Sequence, residues 1–195
     1  MRTRTMVHAP FSPAARSRRH RLAAGLADWL GRAWRPLFAL ALALFVGLPV
    51  LAPLLAAAGF DHLALTIYGL YRLTCHQLPE RSYFLFGHPL AYCQRDTALY
   101  TAMLLGTLAS GRWRAPGLTG RRALLWLLLA GLPLALDGGT QALGWRESTW
   151  YLRTLTGGLF GFVVAWVGCQ LMAQTLAQTL ASPHSPKERT GDGLA

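Results

Sequence analysis

The chain alternates between long apolar runs and short polar clusters. Four apolar runs are candidates for membrane-spanning helices, at residues 36–58, 97–111, 123–136 and 155–176. A spanning helix takes about 20 mostly apolar residues, and in lipid every backbone hydrogen bond must be closed. A further stretch, residues 62–73, is short for a span and indicates an interfacial or re-entrant helix, with a fifth span as the alternative. The pattern therefore predicts an all-α integral membrane protein with four transmembrane helices and this additional short helix.

Composition supports a membrane protein and argues against a nucleic-acid-binding one. Hydrophobic residues make up 53% of the chain and charged residues only 14%, against about 25% in soluble domains. The net charge is +11, but the basic residues avoid the long apolar runs. The expected partner is therefore the lipid bilayer, with a second copy of the chain or another membrane subunit as further candidates.

The basic residues are divided unequally between the two sides that four spans define. Fourteen of the 19 lie before residue 36, between residues 111 and 123, or after residue 176, and five lie in residues 59–95 and 137–154. Basic loops tend to stay in the cytoplasm. The sequence therefore predicts a multi-pass protein of the cell (inner) membrane with both termini cytoplasmic and two polar loops outside.

The two chain ends differ from the predicted transmembrane domain, residues 36–176. Residues 1–20 and 177–195 carry no apolar periodicity, which predicts disorder. Residues 21–35 place Leu22, Leu26, Trp29 and Ala33 at helical spacing, flanked by arginines. This pattern is typical of a basic amphipathic helix on an anionic membrane surface, with a plain extension of the first span as the alternative.

Two polar motifs stand in the predicted outer loops. The first reads Cys75-His76-Gln77-Leu78-Pro79-Glu80-Arg81-Ser82, then Gly87, then Cys93-Gln94-Arg95. The second comprises Asp137-Gly138, Gln141, Gly144, Arg146-Glu147-Ser148, Arg153 and Thr156-Gly157. In this order they resemble the two signatures of a prokaryotic family of predicted membrane proteins, domain of unknown function family 2085, over about residues 65–165. The resemblance implies a small polytopic membrane protein and brings no established activity with it.

Four metal-competent side chains fall within 22 residues: Cys75, His76, Cys93 and Asp96. Thiolate, imidazole and carboxylate all bind divalent metals such as Zn²⁺. Members of the resembled family commonly carry cysteine where Asp96 stands; a carboxylate keeps a metal ligand there but cannot complete a redox dithiol. The alternative is a structural Cys75–Cys93 disulfide, which an oxidising exterior permits. The sequence leaves both open.

A second group of polar residues lies in the same loops: Arg81, Ser82, Arg95, Asp137, Gln141, Arg146, Glu147 and Arg153. Ionisable residues at membrane depth are costly and point to function by default. They could form paired charges that lock the helix ends, or an arginine cup for an anionic headgroup or small anion. No catalytic residue follows from the sequence. Three functions stay open: a metal-containing protein acting as an enzyme or redox partner, a non-enzymatic membrane subunit with partner-binding loops, and a small transporter.

Overall fold

The computed structural model describes residues 13–181 and is mostly helical. Its helices are α1 Pro13–Ala57, α2 Asp61–Tyr71, α3 Gln94–Arg112, α4 Gly120–Ala142 and α5 Trp150–Ala181. Between α2 and α3 lie a 3₁₀ turn, Pro79–Arg81, and two strands, β1 Ser82–Leu85 and β2 His88–Cys93. Three helical segments are long and apolar enough to cross a membrane: Asp28–Ala57, Gly120–Ala142 and Trp150–Thr179.

Helix α1 runs without a break from Pro13 to Ala57, with Pro36 inside it. Residues 21–35 therefore continue directly into the helix of the first predicted span, which favours the alternative of a plain extension. Alanine and leucine, the best helix formers, fill the segment on both sides of Pro36 and outweigh the one hydrogen bond that proline removes. The expected disorder at residues 1–20 and 177–195 lies mostly outside the described residues, and the described parts, 13–20 and 177–181, are helical.

Helix α3 coincides with the second predicted span but is too polar to qualify as a membrane-spanning segment by hydropathy. It contacts α1, α5 and β2, and most of its residues are at least half-buried. Thr107 and Ser110 are fully buried, and their hydroxyls donate to the helix's own backbone carbonyls. A helix enclosed by other helices need not be apolar all round, which explains why hydropathy alone misses it.

A β-hairpin between α2 and α3 is the main departure from the predicted all-α fold. Strands β1 and β2 pair antiparallel, with Ser82 opposite Cys93 and Leu85 opposite His88. The turn residues Phe86 and Gly87 both have positive φ, 52° and 81°, as the favoured type I′ hairpin turn requires. The hairpin is too short to be stable alone, and its residue Tyr92 packs against the rings of Phe45, Tyr71 and Tyr100.

Helices α3 and α5 approach so closely that glycine is required at their contact. A Cβ added at Gly161 would lie 2.1 Å from the carbonyl oxygen of Leu99, and one at Gly157 would lie 2.6 Å from that of Arg95. From the other side, a Cβ at Gly106 would lie 2.4 Å from the carbonyl oxygen of Phe162. The Gly157-x-x-x-Gly161 pair is thus a helix-packing surface, and it fixes the height of Arg95 relative to α5.

The bundle has two chemically different ends. The ends of α1 and α4 and the starts of α3 and α5 meet at one, where Arg95 contacts Asp137 and Arg153 contacts Gln94; we call this the polar end. At the other, the basic end, the Gln170 amide donates to the Trp113 carbonyl. Residues 59–96 and 137–153 hold five arginines and five carboxylates, so the whole net charge of +11 belongs to the rest of the chain.

Candidate metal centre and arginine cavity

Cys75 and Cys93 are brought together by the chain around the hairpin. Cys75 follows α2, where its backbone N–H donates to the Tyr71 carbonyl at 3.0 Å. Cys93 ends β2 and caps α3, its sulfur accepting from the Asp96 N–H at 3.5 Å. The backbone N–H of Cys93 in turn donates to the Cys75 sulfur at 3.2 Å. Residues 18 positions apart thereby share one site.

Three of the four predicted metal ligands converge. The ligand atoms of Cys75, Cys93 and Asp96 all lie within 4.8 Å of one another, and the Cys93 sulfur lies 3.2 Å from an Asp96 oxygen. Cys75 is 6% exposed and the other two are half-buried. His76 is exposed and does not join this group. Two sulfurs and one oxygen suit a borderline metal such as Zn²⁺.

The two thiols are chemically unequal. Cys75, Cys93 and Cys169 are all free cysteines, so the alternative Cys75–Cys93 disulfide is not formed in this structure. A hydrogen bond from the Cys93 thiol lowers the pKa of Cys75, and the same bond raises the pKa of Cys93, with burial and the Asp96 charge adding to the rise. Cys75 is therefore the readier thiolate, and a metal ion here would displace a proton from Cys93.

Asp137 organises the charges behind these sulfurs. It is 3% exposed near the end of α4, and one of its oxygens accepts from Arg95 at 2.6 Å while the other accepts from Arg146 at 2.6 Å. The Ser148 hydroxyl lies 2.7 and 2.8 Å from the two oxygens. Gln141, one helical turn further on, accepts from Arg95 at 3.3 Å. One buried carboxylate thus ties α3, α4 and the loop before α5 together.

Arg153 is a buried cation with weak compensation. It is 5% exposed at the start of α5, and its one close acceptor among the described residues is the Gln94 side-chain oxygen at 3.2 Å. Glu147 lies 3.8 Å from both Arg153 and Arg81, but its side chain is 81% exposed. Gln94 is not among the site residues predicted from the sequence. The one signal for it is a polar side chain at the first position of α3, between Cys93 and Arg95.

We call Cys75, Cys93 and Asp96 the sulfur group. A cavity of about 390 Å³, the arginine cavity, opens beside it. Its wall includes Cys75, Cys93, Asp96 and His76, together with the side chains of Arg81, Arg95, Gln141 and Arg153. The remaining predicted site residues lie outside this wall. Arg146 and Glu147 contribute ion pairs, and the buried Ser82 hydroxyl donates to the Leu78 carbonyl at 3.0 Å, which fixes the loop.

The chain is similar to uncharacterized proteins. Residues 75–167 match the family model of a predicted membrane protein, DUF2085. An uncharacterized protein of Methanocaldococcus jannaschii is 36% identical over 121 residues, which cover 60% of this chain and 78% of that protein. Another, from Methanothermobacter thermautotrophicus, is 37% identical over 91 residues, covering 45% and 77%. No solved structure matches. The chain therefore belongs to the DUF2085 family of predicted membrane proteins.

Proposed function

We propose that this chain is a four-span membrane protein that holds a divalent metal ion, such as Zn²⁺, at its extracytoplasmic end. The observation that carries the proposal is the convergence of Cys75, Cys93 and Asp96 within 4.8 Å beside a cavity. Three protein ligands leave one tetrahedral position of zinc for water or a bound molecule, which is the arrangement of catalytic rather than structural zinc sites.

Four spans follow if α3 is counted with the three apolar segments. Its 19 residues extend about 28 Å at a rise of about 1.5 Å per residue, close to the roughly 30 Å hydrocarbon core. Two of its polar side chains, Thr107 and Ser110, are buried inside the bundle. An even number of spans supports placing the start of α1 and the end of α5 on the same side of the membrane. Both helices extend between the polar end and the basic end of the bundle.

The charge distribution supports an orientation with the basic end in the cytoplasm. Arg35 of α1 and Arg114 of the α3–α4 loop border the same cavity as Ala173 and Leu176 of α5, so basic side chains from separate segments gather there. The polar end carries equal numbers of arginines and carboxylates. Under the positive-inside rule the metal centre and arginine cavity then face outside.

Cysteine labelling in whole cells tests this orientation. Leu73→Cys places a thiol at the polar end, where the native side chain is 85% exposed, and Pro116→Cys places one in the exposed loop at the basic end. A membrane-impermeant maleimide should label Leu73→Cys in intact cells and Pro116→Cys only after permeabilisation. The unsubstituted chain sets the background from its own thiols, and the reverse labelling order would contradict the orientation.

Metal analysis tests the binding site. The full chain, purified in detergent with zinc supplied and excess removed, should retain about one zinc per chain, and Cys75→Ser should lose most of it because a hydroxyl is a far poorer ligand than a thiolate. The measurement is metal content by mass spectrometry against protein concentration.

The chain provides a matched control for the same measurement. Cys169→Ser changes a cysteine that is equally buried but lies in α5, outside the sulfur group, and should retain the metal. His76→Ala should also retain it, because His76 does not join the three ligands. Metal content that is equal in wild type and Cys75→Ser, or absent in both, would contradict the proposal.

A further inference from the structure

The arginine cavity holds more positive charge than its neighbours neutralise. Arg81, Arg95 and Arg153 all border it, and Arg153 is repelled by the charges of the other two. Asp137 forms an ion pair with Arg95, but the same carboxylate also pairs with Arg146. Among the described residues, Arg81 and Arg153 form ion pairs with Glu147, at 3.8 Å and largely in solvent, and Asp96 adds one carboxylate to the cavity wall. A buried cation is costly unless it is paired, so an anion bound on this side of the cavity would compensate Arg153 in particular.

Hydrogen-bond donors are also left over at the same place. Among the described residues, the Nε atoms of Arg81, Arg95 and Arg153 and the Nε2 atom of Gln141 are buried without an acceptor. Buried polar atoms are nearly always bonded, so each exception needs an explanation, of which a bound ion or water is one. All four of these atoms are donors, so the partner is an acceptor.

We propose that the arginine cavity binds an oxyanion of the phosphate class, held by Arg81, Arg153 and the Gln141 amide. Guanidinium groups pair with phosphate through parallel hydrogen bonds. A phosphate monoester offers three acceptor oxygens, which match the four unpaired donors better than the two oxygens of a single carboxylate do. A cavity of about 390 Å³ has room for such a group with a substituent.

The inference does not depend on the metal, since its donors lie outside the sulfur group. The same chemistry is offered by free phosphate, by soluble phosphate esters and by the headgroup of an anionic lipid. Cys75 and Cys93 lie in the wall of the same cavity, so a metal ion bound by their sulfurs would lie across the cavity from the bound oxyanion.

Calorimetry on the full chain in detergent tests the proposal. After chelation of metal and exchange into phosphate-free buffer, inorganic phosphate should bind saturably, and Arg81→Gln should weaken it by at least about tenfold, the value of one charge-assisted hydrogen bond. Arg81→Lys keeps the positive charge but loses the paired N–H donors of the guanidinium group. Its affinity for phosphate should lie between those of wild type and Arg81→Gln. Arg72→Gln, an exposed arginine of the same end that does not line the cavity, should bind as wild type does.

A further variant separates binding from a structural role. Glu147→Gln removes the carboxylate that competes for Arg81 and Arg153, so phosphate should bind more tightly to it than to wild type. Two further titrations use dioleoyl phosphatidic acid in mixed micelles and soluble glycerol phosphate. Saturable binding of either compound that is lost in Arg81→Gln supports the site. It also shows whether a lipid headgroup or a soluble ester supplies the phosphate group. Binding in no arm, equal weakening in Arg72→Gln, or acetate bound as tightly as phosphate would overturn it.

Discussion

Replacing Asp137 with asparagine should lower the free energy of unfolding by about 3–5 kcal/mol, the cost of removing one partner from a buried charge cluster. The carboxylate is 3% exposed and receives Arg95, Arg146 and Ser148 together. Asparagine retains one acceptor oxygen but brings an N–H₂ group toward two guanidinium groups. The measurement is the unfolding free energy of the full chain in detergent, followed by helical circular dichroism.

Glu147→Gln is the matched control for this substitution. It makes the same chemical change at a carboxylate that also contacts two arginines, but at 3.8 Å and with its side chain 81% exposed. Exposed ion pairs contribute about 0–1 kcal/mol, so its effect should stay within that range. Equal losses in the two variants would contradict the organising role assigned to Asp137.

Replacing Gly161 with alanine should cost about 2–3 kcal/mol or more, a large effect for one methyl group. The added Cβ would meet the Leu99 carbonyl oxygen at 2.1 Å, and backbone on both sides leaves no flexible side chain to move away. The helices must separate, which loosens α3 and shifts Arg95 away from Asp137. Unfolding in detergent measures the cost, and zinc content measures the change at the polar end.

Gly158→Ala is the control on the same helix. A Cβ at Gly158 meets nothing within 4 Å, and alanine is the better helix former, so this variant should be as stable as wild type or slightly more stable. If Gly161→Ala and Gly158→Ala behaved alike, the close packing of α3 on α5 would be wrong.

The long lipid-facing runs could be read from the sequence because lipid contact demands apolar residues along a whole helix face. Helices α1, α4 and α5 satisfy this demand directly, as Leu44, Leu128 and Leu155 show by remaining exposed on the bundle surface. The continuity of α1 through Pro36 does not follow from the sequence, because the cost of a proline depends on the rest of the helix, which a local pattern does not include.

The hairpin and the contacts within the site could not be predicted from the sequence and are visible only in the structure. Strands β1 and β2 are four and six residues long with a register irregularity between Ser82 and Phe84, so no regular alternation announces them. Sequence spacing grouped Cys75, Cys93 and Asp96, whose ligand atoms the structure brings together, with His76, which it does not, because the direction of a side chain depends on backbone conformation. The partnership of Gln94 with Arg153 joins residues 59 positions apart, and no local pattern encodes it.

X-ray absorption at the zinc edge, recorded on the metal-loaded full chain, tests the central claim most directly because it counts the ligand atoms. The account predicts two sulfur ligands at about 2.3 Å and lighter oxygen or nitrogen ligands at about 2.0–2.2 Å. Cys93→Ser should leave a single sulfur or no bound zinc. A shell of oxygen and nitrogen alone in the wild-type protein would contradict the metal centre at Cys75, Cys93 and Asp96.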